Sequence, residues 1–157
     1  MFIGWETFLE SSLIHLMAGY PTISGTLPVR RIVPLTPEDA RGIVKGVGPY
    51  FDYGRHDNVR KVVGMYFDQG YPYEPHLGGI FQHLSDIKTI RNSCAHITAS
   101  TQLPLSTLAG RIAGQPVPAV TAYKLLTMAD PRPGSAGTVL ETYKATLLVT
   151  AELIANG

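Results

Sequence analysis

Residues 85–97 read SDIKTIRNSCAHI, and their apolar side chains have the spacing of an amphipathic helix. At about 100° per residue, the apolar residues share one side of the helix. They are Ile87, Ile90, Cys94 and Ile97. Ser85 is a good N-cap before Asp86, so the helix is predicted to begin there. Cys94, the only cysteine of the chain, is expected to be a buried, inert thiol.

The other side of this predicted helix displays residue types that suit phosphodiester chemistry. Asn92 and His96 lie there, and Arg91 lies on the flank. An imidazole takes or gives a proton near neutral pH, and a guanidinium holds a phosphate in a forked grip. Asn92 can orient His96 or bond the same phosphate. On a regular helix Arg91 and His96 are splayed by roughly 140°, so they share one phosphate only across a kinked helix end or across a two-fold axis between two copies.

The rest of the chain also has helical periodicity and no convincing alternation of strand length. We therefore predict an all-α fold in a single domain, residues 1–157, with four main helices, long ordered loops and short extra helices. The main helices are predicted at 2–18, from the Thr36 N-cap, from Ser85, and from the Thr138-x-x-Glu141 capping box to about Ala155. Shorter helices are predicted at 57–66, 104–113 and 120–128, and a loop at 70–79.

Composition limits the classes of function. A net charge of +1 gives no global basic field, so any nucleic-acid contact needs a local patch. Basic residues outnumber acidic ones between Arg30 and Lys61. This excess is typical of a solvated helix face, and the alternative is a surface for an RNA backbone, with Arg55, Arg60 and Lys61 as candidate contacts.

The sequence lacks the motifs of cofactor and metal sites. It has no phosphate-binding P-loop, no dinucleotide fingerprint and no paired histidine or cysteine spacing of a zinc site. We therefore expect no cofactor and no metal. The absence of a basic leader and of a long apolar run predicts a cytoplasmic protein without a membrane segment.

Beyond these patterns, the chain resembles HEPN-domain proteins (higher eukaryote and prokaryote nucleotide-binding), in particular the bacterial RiboL-PSP-HEPN group. That family has an Arg, four to six residues and then a His, often with Asn after the Arg. Arg91-Asn92 and His96 match this motif. Three further stretches resemble the first, second and last helices of the group, and they are WETFLE (5–10), PEDARGIVKG with YFDYGRHDNV (37–59) and TVLETYKATLLVTAELI (138–154).

The resemblance implies a HEPN-like helical bundle that forms a homodimer and cleaves RNA without a metal, as a toxin or phage-defence effector. Arg91, Asn92 and His96 are then the expected catalytic residues, and a cognate antitoxin or sensor protein is an expected partner. A polar residue from another helix often assists in the family, and Glu10 and Asp52 are both candidates. Two alternatives remain open: a HEPN module that binds nucleotide, RNA or a partner without catalysis, and a helical adaptor in which the motif is incidental.

Overall fold

The computed structural model describes residues 1–135 and 137–157, and this part of the chain is all-α. Its only β-type pairs are isolated bridges, between Arg30 and Phe67 and between Ala129 and Thr138. The α-helices are α1 (Phe2–Met17), α2 (Pro37–Lys45), α3 (His56–Tyr66), α4 (Glu74–Leu77), α5 (Phe81–Ala95), α6 (Ala99–Ala113), α7 (Ala122–Thr127) and α8 (Val139–Asn156). The all-α prediction is confirmed. Within the described ranges, no helix has the length and apolar character that a membrane crossing requires.

The chain forms two compact units, of which the first comprises residues 1–81 and 148–157. Its core includes one face of α1, where Trp5, Leu9 and Leu13 are buried. The Tyr73 hydroxyl, also buried, donates a hydrogen bond to Ser12 Oγ at 3.0 Å. Apolar burial of this kind is the main stabilising contribution of the unit.

α2 begins where its capping residues predict. The Thr36 hydroxyl accepts from the backbone N–H of Asp39 at 3.1 Å, and the Asp39 carboxylate accepts from the backbone N–H of Thr36 at 3.0 Å. Pro37 occupies the first turn, where no N–H is needed. The helix ends at Lys45 and is followed by Gly46, whose φ of 61° is costly for other residues.

The second unit comprises residues 82–147 and contains most of α5, all of α6 and α7, and the first half of α8. α8 starts at the predicted capping box, where Thr138 N donates to Glu141 Oε2 at 2.7 Å. Tyr143 and Leu147, from the predicted apolar stripe of this helix, are buried. The prediction that residues 1–157 make up a single domain stays a prediction.

Three predicted boundaries are wrong. α5 begins at Phe81 rather than at Ser85, because the backbone is already helical from Leu77 through Gly78 and into Phe81. Residues 70–79, predicted as a loop, contain α4 and flanking 3₁₀ turns. α6 begins at Ala99 rather than at Pro104. A capping box at Thr98 starts this helix, and Pro104 lies inside it rather than at its first turn.

The predicted apolar face of α5 is also wrong at its C-terminal end. Cys94 is exposed, and Ile97 lies beyond the helix with 88% of its surface exposed. Ser93 is buried instead, at the end of a stripe that includes Leu84, Ile87 and Ile90. The buried position tolerates a serine because its hydroxyl donates to the carbonyl of Ile90 at 2.7 Å.

Because Cys94 is exposed and Ser93 is buried, the same added charge should affect stability differently at these two neighbouring positions. Cys94→Asp is expected to change the free energy of unfolding by less than about 1 kcal/mol, since the carboxylate stays in water. Ser93→Asp is expected to cost at least about 2 kcal/mol, because it places an unpaired charge in a buried position. Urea denaturation of both variants measures the difference. A large loss for Cys94→Asp with none for Ser93→Asp would reverse the assignment of the face.

Candidate functional site

The three predicted catalytic residues lie at the C-terminal end of α5, and all three are exposed. Arg91 and Asn92 are in the last helical turns, and His96 directly follows Ala95, the last helical residue. The backbone N–H of His96 still donates to the carbonyl of Asn92 at 3.0 Å. His96 therefore lies one residue beyond the last helical residue, while its backbone N–H still has the hydrogen-bond partner of a regular helix.

The turn after His96 is held by the cap of the next helix. The carbonyl of His96 accepts a hydrogen bond from the Thr101 hydroxyl, and Thr101 Oγ1 also accepts from the backbone N–H of Thr98 at 3.1 Å. Thr98 is the N-cap of α6. The backbone that carries the imidazole is therefore tied both to the end of α5 and to the start of α6.

A buried carboxylate holds α5 in place in the second unit, and the sequence pattern did not reveal it. Asp86, predicted to follow the N-cap Ser85, is only 4% exposed. It accepts hydrogen bonds from Gln82 Nε2 at 2.9 Å, from Arg111 Nη2 at 2.5 Å and from the Tyr143 hydroxyl at 2.9 Å. Because Arg111 is in α6 and Tyr143 in α8, this one side chain joins three helices of the unit.

Further charged groups surround Tyr143. The Arg132 guanidinium carbon lies 5.1 Å from the centroid of the tyrosine ring, within the range of a cation–π contact. Arg132 also forms a forked pair with Asp130, with Nε to Oδ1 at 2.8 Å and Nη2 to Oδ2 at 2.5 Å. These hydrogen bonds hold the pKa of Asp130 well below its usual range. Burial and then the Asp86 carboxylate raise the pKa of Tyr143, so its hydroxyl remains a donor.

His83 packs edge-on against the Tyr143 ring, with the two centroids 5.7 Å apart. Burial and then Arg132 lower the pKa of His83; Arg111 acts in the same direction, and Asp86 and Asp130 oppose it. The neutral imidazole is therefore the form that the folded protein favours. Protonation would add a third positive charge beside two guanidinium groups.

A pH-dependent loss of stability follows. Because the pKa of His83 is lower in the folded than in the unfolded state, the unfolded state binds more protons at pH values between the two pKa values. The free energy of unfolding is therefore not reduced by His83 above the unfolded pKa of about 6.5, and it decreases as the pH drops through that value. The loss between pH of about 7.5 and 5.5 should be smaller in His83→Gln than in the wild type or in His15→Gln, as measured by urea midpoints. Equal losses in all three proteins would show that His83 does not contribute.

The three predicted RNA contacts lie together in the first unit, beside a groove of about 580 Å³. Arg55 and Lys61 are exposed, and Arg60 is half-buried. Arg60 is engaged in a forked ion pair, in which its Nε donates to both carboxylate oxygens of Glu74 at 3.0 and 2.9 Å. The structure therefore separates two available basic side chains from one that has an acidic partner.

The two candidate supporting carboxylates also lie in the first unit, whereas Arg91 and His96 belong to the second. Glu10 Oε1 is 3.7 Å from Arg41 Nε. Asp52 Oδ1 accepts from the backbone N–H of Gly54 at 3.0 Å, which closes a short turn before α3. Each carboxylate thus has a partner within its own unit.

Over the described residues, no group of three or more His, Cys, Asp and Glu side chains is placed to hold a metal ion. In comparisons with known proteins, no family model matches the chain, and no match is found among curated proteins or among solved structures.

Proposed function

We propose that this protein is a metal-independent RNA endonuclease that acts as a homodimer in the cytoplasm, with a HEPN-like bundle of helices. The observation that supports the proposal is the joint exposure of Arg91, Asn92 and His96 at the end of α5. A guanidinium, an amide and an imidazole that project from one short segment suit the binding and cleavage of a phosphodiester. The biological role that fits such an enzyme is a toxin or a phage-defence effector.

The reaction uses the ribose of the RNA itself. His96 removes the proton of the 2′-hydroxyl, the 2′-oxygen forms a bond to phosphorus, and the bond between phosphorus and the 5′-oxygen breaks. An imidazolium, from His96 of either protomer, protonates the leaving 5′-oxygen. Arg91 binds the scissile phosphate and stabilises the charge that develops on it, and Asn92 orients the imidazole or the phosphate. The products are a 2′,3′-cyclic phosphate and a 5′-hydroxyl.

A second copy of the chain completes the proposed site. Two α5 ends that face each other across a two-fold axis supply two guanidinium and two imidazole groups to one cleft. Glu10 or Asp52 is the proposed supporting carboxylate, and an antitoxin or sensor protein is the proposed partner that controls activity. Both the dimer and this control follow the HEPN resemblance of the sequence.

The direct test incubates the purified protein with total RNA, with and without EDTA. Cleavage is expected under both conditions, and mapping of the ends is expected to give 5′-hydroxyl groups. His96→Ala is the matched inactive protein. If the wild type binds RNA measurably but leaves it intact, the proposed nuclease would be wrong and a non-catalytic binding module would be the better assignment. Loss of cleavage in EDTA that a divalent ion restores on an unstructured RNA would contradict the proposed chemistry.

A further inference from the structure

A groove of about 580 Å³ lies along the exposed face of α3 in the first unit. The residues that line it are charged, amide-bearing or glycine, without one apolar side chain. Pockets for small apolar ligands are instead lined mostly by hydrophobic and aromatic residues. The lining of this groove therefore suits a ligand that is itself charged and rich in hydrogen-bonding groups.

Two of the groove's basic side chains are available to such a ligand. Arg55 precedes the first residue of α3 and Lys61 lies six residues further on, so they are roughly 9 Å apart along the helix axis. Both are exposed, and neither forms an ion pair within residues 1–135 and 137–157. This separation allows the two side chains to contact different phosphates of one strand.

Arg60, between them in the sequence, has a different role. Its forked pair with Glu74 joins α3 to α4 and forms one wall of the groove. The hydrogen bonds from Arg60 lower the pKa of Glu74, so the carboxylate stays ionised. The opposite charges of Arg60 and Glu74 then cancel. The remaining acid of the groove is Asp57, whose Oδ1 is 3.9 Å from His56 Nε2. Arg55 and Lys61 against Asp57 leave the groove with a net positive charge.

The floor of the groove admits a close approach. A Cβ atom built on Gly64 would meet no other atom within 4 Å, so the helix surface at this point is open. Asn58 and Gln69 also line the groove, and their side-chain amides can both donate and accept hydrogen bonds. Such amides suit the phosphate oxygens and ribose hydroxyls of a strand, and they contribute no net charge.

We propose that this groove binds the phosphodiester backbone of single-stranded RNA through Arg55 and Lys61, while Arg60 maintains the wall and does not contact phosphate. The ligand class rests on the proposed function, since other polyanions share the phosphate chemistry. The groove residues are far in the sequence from the cleavage motif, and together they form a separate binding site for the substrate. This site recognises the charge of the RNA backbone rather than the base sequence.

The test measures binding of a short fluorescent oligoribonucleotide by anisotropy at several salt concentrations, in full-length protein that carries His96→Ala. Arg55→Glu with Lys61→Glu is expected to weaken binding by about tenfold or more and to reduce the slope of log affinity against log salt by about 1.4. The control, Lys45→Glu with Lys144→Glu, makes the same change of net charge at exposed positions outside the groove. This control variant is expected to retain most of the wild-type slope of log affinity against log salt.

A second pair of variants tests the assignment of Arg60. Arg60→Met with Glu74→Met removes both charges of the pair and is expected to keep the affinity within about twofold and the salt slope unchanged. Thermal unfolding checks that each variant is folded, and Arg55→Gln with Lys61→Gln is a milder version of the first change. An equal loss of affinity in the groove and control variants would overturn the proposal.

Competition and cleavage distinguish the remaining outcomes. A ribonucleoside monophosphate that displaces the oligonucleotide at equal concentration would overturn the backbone assignment in favour of a nucleotide site. Cleavage is assayed in parallel in proteins that retain His96. If binding depends on the groove while RNA stays intact, the groove proposal stands and the nuclease proposal fails. If cleavage depends on His96 while RNA affinity is unaffected by the groove variants, the nuclease proposal stands and the groove proposal fails.

Discussion

His96→Ala is expected to lower the rate of RNA cleavage by about a hundredfold or more, equivalent to about 2.7 kcal/mol of activation free energy. The reason is that the imidazole is the group that transfers the proton to or from the reacting oxygens. The free energy of unfolding should change little, because the side chain is exposed beyond the end of α5. Single-turnover cleavage of a defined RNA and urea denaturation measure the two quantities.

Two further variants test whether the loss of activity is specific to the proposed catalytic residues. His15→Ala removes an exposed histidine of the first unit and is expected to retain full activity. Arg91→Lys keeps the positive charge and loses the forked geometry, so it is expected to cost at least about tenfold in rate. Wild-type cleavage by His96→Ala would remove this residue from the mechanism.

Asp86→Ala is expected to lower the free energy of unfolding by about 2–3 kcal/mol. The change leaves the buried Tyr143 hydroxyl without its acceptor, whereas the Arg111 side chain is 46% exposed and its guanidinium can be hydrated. Calorimetry or urea denaturation measures the loss. Asp68→Ala is the matched control, since Asp68 and its partner Arg31 are each 54% exposed and such a pair contributes less than about 1 kcal/mol.

A double-mutant cycle identifies the source of that loss. Adding Tyr143→Phe to Asp86→Ala removes the unpaired hydroxyl, so the double variant should be less destabilised than the sum of the single variants. Strict additivity would show that the two residues do not interact in solution. A loss for Asp86→Ala as small as that for Asp68→Ala would contradict the buried network itself.

Local signals in the sequence predicted much of the fold. The capping residues at Thr36 and Thr138 correctly locate the starts of α2 and α8, because caps act within one turn of the chain. The start of α5 was missed because Ser85 is also a good N-cap, and the helical path through Gly78 overrides that local preference. A glycine lowers helix propensity by about 1 kcal/mol, which tertiary packing readily exceeds.

The candidate site was predictable in part for the same reason. The exposure of Arg91, Asn92 and His96 followed from periodicity, although the buried stripe ends at Ser93 rather than at Cys94. The partners of Asp86 were not predictable, since Arg111 is 25 and Tyr143 is 57 residues away in the sequence. Periodicity indicates which face of a helix is buried, and long-range pairs depend on how the helices then pack.

The central claim is that Arg91 and His96 cleave RNA through its own 2′-hydroxyl. The most direct measurement compares an oligoribonucleotide with the same strand that carries one 2′-deoxy residue on the 5′ side of the cleaved bond. The account predicts a 2′,3′-cyclic phosphate on the RNA product and no cleavage at the deoxy position. Equal cleavage of both strands, or products with a 3′-hydroxyl and a 5′-phosphate, would contradict it.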